Sequence, residues 1–413
     1  MSEIAGLPFW EMHFDENGNA KHFMDDVGTG VTDLFVFAHG WNNDFNDAKD
    51  LYTRYFEVMA DVLITHGGKP GVAVGVAGVF WPSILWPDDE PERQSTGMAS
   101  FGSLEKDWTA ELKKAFPNEE QLRAIDRMRQ LIDEQPNDDQ SFSEFQSLLR
   151  TIAPNAIEQE DSGEAAVIEE DPVKVFEALA DLAPTGRGGQ AGLLDTGSRV
   201  WDGAREAARV ASYWSMKERA GVVGERGLGS LLRRLPASLR IHLVGHSFGA
   251  RLVSFALKAN PANVKSLFLL QGAFSHYAFA DSLPYEPGQG GALKDMASRV
   301  DGPILVSHSK LDSANCERYP VASWIMREAA AGITDDPKWM AMGADGAQAV
   351  SATEAPFDAV GCSYPFQKGS FVNLDGNHLI TKGGWPAGAH SDIIYPEIAW
   401  AGLAAAGVVT PRT

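Results

Sequence analysis

The chain has 413 residues, of which 44% are hydrophobic, and carries a formal net charge of −21. This length supports a large buried core, and the negative charge argues against nucleic acid and anionic membranes as partners. No apolar run is long enough to span a membrane and no signal peptide is recognisable, so we expect a cytoplasmic protein, or a secreted one that has lost its leader. We expect Cys316 and Cys362 to be reduced thiols, although one bridge between them is an alternative, and no Cys/His spacing suggests a metal site.

The amino-terminal part predicts two buried strands. Residues 33–38 and 72–81 are almost continuously apolar, which is typical of parallel strands covered on both faces. The segment 47–64 between them has the spacing of an amphipathic helix. Ahead of them, residues 9–14 and 21–24 flank an Asn-Gly pair that favours a hairpin turn.

The composition changes between residues 83 and 198. This segment holds 25 acidic and 10 basic residues, and therefore more than two thirds of the net charge. We expect 83–198 to be an inserted, acidic, largely helical subdomain between core segments 1–82 and 199–413, with a solvated insertion without function as the alternative. The predicted helices in it are 104–116, 119–134, 141–152 and 173–182.

Strands and helices alternate beyond residue 199. Because such alternation produces parallel strands with helices on both faces, we predict an α/β fold with a mostly parallel, doubly covered sheet. A long irregular stretch before the last strand suggests a second insertion near 330–368. The predicted strands are 240–244, 265–270, 303–307 and 371–374, and the predicted helices are 200–220, 227–234, 250–258 and 396–406.

The pentapeptide Gly245-His246-Ser247-Phe248-Gly249 lies between a predicted strand and a predicted helix. It matches G-x-S-x-G, in which a serine on a sharp strand-to-helix turn projects its hydroxyl away from the backbone. We therefore predict that Ser247 is a nucleophile. The alternative is an ordinary glycine-lined turn whose serine caps the helix.

A serine nucleophile needs a base within hydrogen-bond reach and an acid that orients the base. In a doubly covered parallel sheet such groups lie at the carboxyl ends of strands. Asp312 follows the strand 303–307 and is the predicted acid, with a solvated or capping aspartate as the alternative. His390, between the last strand and the last helix, is the predicted base, and His378, closer to that strand, is the alternative.

Two backbone N–H groups are expected to stabilise the oxyanion of such a reaction. One belongs to Phe248, which opens the helix after the nucleophile, and the other to Trp41, in the loop after the strand 33–38. Aromatic side chains near the predicted site are candidates for a substrate pocket, although each is also compatible with core packing. These are Phe45, Trp81, Phe274 and Tyr277.

These motifs together resemble the α/β-hydrolases of the serine esterase and lipase type. His39-Gly40-Trp41 is similar to the oxyanion loop of that family, the pentapeptide around Ser247 to its nucleophile elbow, and Asp312 and His390 to its acid and base. The resemblance covers about residues 9–82 and 199–408. It implies hydrolysis of a small-molecule carboxylic ester through an acyl-enzyme, with no metal or organic cofactor. An amidase or peptidase with the same residues, and a non-catalytic binding module, are the alternatives.

Overall fold

The computed structural model describes residues 2–21, 26–41, 43–83, 108–152, 171–180, 196–318, 340–383 and 388–411. Its centre is a nine-stranded sheet in the order β1-β2-β4-β3-β5-β6-β7-β9-β8. Only the pairing of β1 with β2 is antiparallel. The strands are β1 (Ser2–Ile4), β2 (Leu7–His13), β3 (Asp33–Ala38), β4 (Val74–Phe80), β5 (Arg240–His246), β6 (Val264–Leu270), β7 (Ile304–His308), β8 (Ala352–Pro356) and β9 (Phe371–Asp375).

Helices alternate with these strands along the chain. The helix after β3 begins at a capping box, in which the Asp44 side chain accepts from the backbone of Asn46 and Asp47. The helices are α1 (Phe45–His66), α2 (Trp108–Ala115), α3 (Glu119–Glu134), α4 (Asp139–Ile152), α5 (Pro172–Ala180), α6 (Thr196–Val222), α7 (Phe248–Ala256) and α8 (Pro396–Ala406). Shorter turns are Ser230–Leu232, Leu257–Ala259, Met296–Arg299, Ala314–Arg318 and Met342–Asp345.

The core lies between the sheet and its helices. All six residues of β3 are buried, which explains its continuous apolar sequence. An apolar cluster packs Tyr52 and Phe56 of α1 with Trp400 of α8 and with strand residues such as Phe37. The predicted α/β fold with a mostly parallel sheet is therefore confirmed.

Two strands and one helical segment differ from the sequence reading. The periodicity of short β1 is too brief to detect, and β8 reads as a loop because its edge position leaves polar residues exposed. A separate helix was predicted over 227–234, but α6 continues directly into a π-helical segment, Val223–Gly229. Gly224 lets this segment lie close to α7, because a Cβ there would be 2.1 Å from the Leu252 carbonyl oxygen.

The chain divides into two compact units. One comprises the described residues of Met1–Ser83, Lys217–Tyr319 and Met340–Thr413, and it contains the whole sheet. The other includes the described residues of 84–216, where Phe145, Phe176 and Trp201 pack their rings together. The proposed subdomain 83–198 and the second insertion near 330–368 stay predictions, because parts of both lie outside the described residues.

Three further expectations concern the ends of elements, the cysteines and membranes. The amino-terminal hairpin is seen as an antiparallel bridge between Phe14 and Ala20, and residues 22–24 lie outside the described part. Cys316 and Cys362 are not joined by a disulfide. Within the described ranges we find no helix whose length and hydrophobicity would let it cross a bilayer.

Candidate active site

Ser247 occupies a strained turn between β5, which ends at His246, and α7, which begins at Phe248. Its φ of 57° lies in the left-handed region, a conformation that costs a non-glycine residue about 1–3 kcal/mol. Although Ser247 stands at the N-cap position, its side chain makes no capping hydrogen bond. The capping alternative is therefore wrong, and the hydroxyl is left for another role.

Glycines let the neighbouring loops approach this turn. A Cβ on Gly249 would lie 1.9 Å from the carbonyl oxygen of Ala38, so only glycine allows the start of α7 to contact the end of β3. A Cβ on Gly40 would lie 2.5 Å from the Ser247 Cβ. The loop after β3, which carries Trp41, therefore packs directly against the serine.

Asp312 and His390 form a hydrogen-bonded pair. The Nδ1 of His390 lies 2.9 Å from Oδ2 of Asp312, and the aspartate side chain is fully buried. A carboxylate facing Nδ1 fixes the ring so that Nδ1 carries the proton and Nε2 offers a lone pair. This is the protonation state that a general base requires.

His246 connects this pair to the strand that ends at Ser247. Its Nε2 donates to the carbonyl oxygen of His390 over 2.8 Å, and the two rings lie 4.9 Å apart. In the described residues there is no hydrogen bond between the Ser247 hydroxyl and the His390 imidazole. The three predicted residues thus share the carboxyl-terminal edge of the sheet, with the Asp–His contact formed and the Ser–His contact open.

Two buried histidines near the serine are held neutral. Burial lowers the pKa of His39 to about 4, and its Nδ1 lies 2.8 Å from the Gly40 carbonyl oxygen. Burial, with a smaller contribution from the charge of His390, lowers the pKa of His246 to about 3. Neutral His246 can donate from only one ring nitrogen, and the bond to the His390 carbonyl uses it.

The other histidines have different partners. His378, the alternative base, is exposed and donates from Nε2 to the Phe357 carbonyl oxygen over 3.0 Å. It follows the end of β9 in a turn, and it is His390 that contacts Asp312. His276 pairs through Nδ1 with Asp345 at 2.9 Å.

The predicted oxyanion donors lie on either side of the serine. Phe248 is the buried first residue of α7, Trp41 is half-buried in the loop after β3, and their rings are 6.5 Å apart. Their role as donors stays a prediction.

The predicted pocket aromatics differ in exposure. Phe274 is fully buried, and Trp81 is buried with its Nε1 donating to the His39 carbonyl oxygen over 3.0 Å. Tyr277 is half-buried against the His276 ring, whereas Phe45 is 45% exposed. Trp81 and Phe274 therefore fill the interior of the fold, and Tyr277 and Phe45 can meet a ligand without rearrangement.

Two side-chain amides that the sequence does not predict contact the Asp312 carboxylate. Nε2 of Gln271 and Nδ2 of Asn315 each lie 2.8 Å from Oδ2 of Asp312. Position offers a signal for both: Gln271 follows directly on β6 at the same sheet edge, and Asn315 comes three residues after the aspartate. A glutamine or an asparagine cannot be recognised as a site residue from the sequence unless its acidic partner has already been assigned.

A second Ser–His–Asp set lies at the opposite edge of the sheet. His242 of β5 has its Nδ1 2.9 Å from Ser266 Oγ and its Nε2 2.9 Å from Asp33 Oδ1. All three side chains are buried near the amino-terminal ends of their strands, and Arg240 also pairs with Asp33 at 2.9 Å. Burial lowers the pKa of His242, although the hydrogen bond to Asp33 acts in the opposite direction.

Comparison with known proteins gives no assignment. The chain matches no protein-family model, and neither the curated proteins nor the solved structures yield a match. Among the described residues no group of three or more His, Cys, Asp or Glu side chains is arranged to hold a metal ion. The function has to be argued from the geometry of the site.

Proposed function

We propose that the protein is a serine hydrolase of the α/β-hydrolase type that cleaves carboxylic esters through an acyl-enzyme. One observation carries the proposal: a serine with φ of 57° ends the central strand β5, its hydroxyl unused for capping, at the edge where His390 pairs with Asp312. Helix caps and structural serines do not require this strain. The parallel strands on both sides of β5 support the fold assignment.

The chemistry follows from the positions of the three side chains. Ser247 Oγ attacks the ester carbonyl carbon while His390 Nε2 takes the hydroxyl proton. Asp312, bonded to Nδ1, stabilises the imidazolium that forms. His390 then gives its proton to the departing alkoxide, and a water molecule activated by the same ring releases the acid from Ser247.

The oxyanion of each tetrahedral intermediate needs donors that are already in place. We assign this role to the backbone N–H groups of Phe248, at the first turn of α7, and Trp41, in the loop that contacts the serine. The helix terminus adds a partial positive charge at the same point.

The open Ser–His contact closes when substrate binds in this scheme. Catalytic hydrogen bonds are often long in free enzymes and shorten in the Michaelis complex. His390 lies in a turn at 388–391 rather than in a strand or helix, while His246 holds its carbonyl group.

The partly exposed aromatics favour an uncharged substrate of modest size. Phe45 and Tyr277 offer ring surface at the sheet edge, and the net charge of −21 disfavours anionic substrates. We therefore expect uncharged short-chain esters to be better substrates than esters that carry a negative charge.

The test compares two serines that the chain itself provides. Purified protein is incubated with p-nitrophenyl acetate and butyrate and with a fluorophosphonate probe, alongside Ser247→Ala and Ser266→Ala variants. We expect turnover and labelling by the wild type and Ser266→Ala, and a loss of about 10⁴-fold or more in kcat for Ser247→Ala. Activity that persists in Ser247→Ala, or a wild type that neither turns over ester nor is labelled, contradicts the proposal. Matching p-nitroanilides distinguish an amidase.

A further inference from the structure

The Asp312 carboxylate is bonded by more groups than His390. Besides the imidazole, it accepts from Gln271 Nε2 at 2.8 Å, from Asn315 Nδ2 at 2.8 Å and from the Asn315 backbone N–H at 3.0 Å. Gln271, Asp312 and Asn315 are all fully buried. Such a set leaves the carboxylate one orientation, because rotation would break several short bonds in a site shielded from water.

The orientation of the Gln271 amide is itself fixed. Its backbone N–H donates to Ser307 Oγ at 2.9 Å, and the Ser307 hydroxyl donates back to Gln271 Oε1 at 2.8 Å. Because Oε1 receives that hydrogen, Nε2 must face Asp312; it also reaches the Gly343 carbonyl oxygen at 3.3 Å. A flipped amide would place Oε1 against Asp312 Oδ2 and against the Gly343 carbonyl oxygen, so two acceptors would face each other at each contact.

Gln271 also has a strained backbone. Its φ of 45° lies in the left-handed region, where a residue other than glycine costs about 1–3 kcal/mol. The strain turns the chain sharply after β6, so that the side chain points along the sheet edge to Asp312. Strain of this kind persists only where the surrounding bonds determine the conformation, as they do here.

Asn315 completes the arrangement from the other side. Its Nδ2 donates to the Gln271 carbonyl oxygen at 2.9 Å as well as to Asp312, and it lies 3.4 Å from Nδ1 of His390. The two amides and the aspartate therefore form one buried unit against the imidazole, which we call the amide clamp (Gln271 and Asn315).

We propose that the amide clamp is a positioning device for the His390 base: it holds the Asp312 carboxylate toward Nδ1 and sets the pH at which the site gains its active protonation state. This inference rests on the proposed function, since it assigns how that same base is tuned. Gln271 and Asn315 act through Asp312 and do not touch the reacting atoms.

In the described part of the chain, two titratable side chains lie against the His390 imidazole. Asp312 faces it from the loop after β7, and His246 faces it from the end of β5, with His39 behind. Both of those histidines are neutral near pH 7, because burial lowers the pKa of His246 to about 3 and that of His39 to about 4. The amide donors of the clamp thus offset part of the charge of Asp312, and removing one of them favours the imidazolium.

Gln271→Met tests the clamp by removing its amide donor with little change of shape. We expect the acid limb of the kcat/KM–pH profile and the ¹⁵N NMR titration of His390 both to move upward by about one pH unit. Asn315→Leu should move them in the same direction, and it serves where Gln271→Met fails to fold. A His390 titration that is unchanged in the variant that folds overturns the inference.

A matched control separates tuning from the general effect of removing a buried amide. Asn373 is also a buried amide on a carboxylate, with Nδ2 2.6 Å from Glu354 Oε1, and its other bonds go to Ala347. Asn373→Leu should leave the His390 titration in place; a shift equal to that of Gln271→Met counts against the clamp. Because the NMR titration needs no turnover, a wild type without esterase activity defeats the proposed function while the clamp is still tested.

Discussion

The sheet carries a Ser–His–Asp set at each edge, and the set with the better contacts is the less suited to catalysis. At the amino-terminal edge, both contacts of His242, to Ser266 and to Asp33, are formed at 2.9 Å. At the carboxyl-terminal edge only the contact between His390 and Asp312 is formed. Hydrogen-bond distances therefore do not distinguish an active site from a structural network.

The backbone setting does distinguish them. Ser266 lies inside β6, between β5 and β7, and the His242 ring stacks against Phe35 at 4.7 Å with no exposed surface. No carbonyl carbon can reach a hydroxyl enclosed in this way. The amino-edge set joins β3, β5 and β6 through buried side chains, whereas Ser247 stands on a turn beyond the end of a strand.

Removing each histidine gives the largest expected difference between the two sets. His390→Ala deletes the proposed base, and we expect kcat to fall by about 10⁵-fold with little change in stability. His242→Gln should retain kcat per folded molecule but lower the unfolding midpoint in urea. His378→Ala serves as an exposed control and should behave as wild type. Equal kcat in His390→Ala and wild type contradicts the assignment of the base.

Replacing each aspartate by asparagine gives the next largest expected effect. Asp312→Asn would favour the wrong imidazole tautomer, so kcat should fall by about 10⁴-fold in a folded protein. Asp33→Asn should instead remove the buried negative charge that Arg240 and His242 share and lower the free energy of unfolding by about 3 kcal/mol. Ester turnover and urea denaturation are measured for both variants. Loss of turnover in Asp33→Asn together with loss of stability in Asp312→Asn would contradict the roles assigned to the two sets.

The pH dependence of stability tests whether buried His39 is neutral in the folded protein. The pKa of His39 is lowered to about 4 in the folded state, so its contribution to stability is complete above the unfolded pKa near 6.5 and is lost as pH falls towards 4. Between about pH 7 and pH 4.5 the loss of stability is about 2 kcal/mol. The measurement is urea unfolding of wild type and His39→Gln across this range. An advantage of wild type that does not shrink on acidification contradicts it.

A glycine substitution probes the space beside the nucleophile and has the smallest expected effect. Gly40→Ala would place a Cβ 2.5 Å from the Ser247 Cβ, and we expect a loss of about 10-fold in kcat/KM as the turn moves. Gly68→Ala is the control, because its Cβ would make only ordinary contacts, at 3.9 Å or more. Unchanged kcat/KM in Gly40→Ala would show that this loop can shift without affecting the site.

The sequence alone predicts the elements whose signals are local. The helices 119–134 and 396–406 have their predicted bounds, and β3 does too, because amphipathic spacing and continuous apolar runs depend on near neighbours. The G-x-S-x-G pattern marks Ser247, because the strained turn is built from consecutive residues. Strand alternation predicts that Asp312 and His390 belong to the same sheet edge.

Only the tertiary structure decided which side chains meet. His242 and Asp33 are 209 positions apart and become neighbours because β5 pairs with β3. The same holds for Gln271 and Asp312, which meet because β6 pairs with β7. Strand order is a property of long-range packing, for which no periodicity in the chain provides a signal. That is why the sequence predicts the serine, the aspartate and the histidine but not the two amides that hold the aspartate.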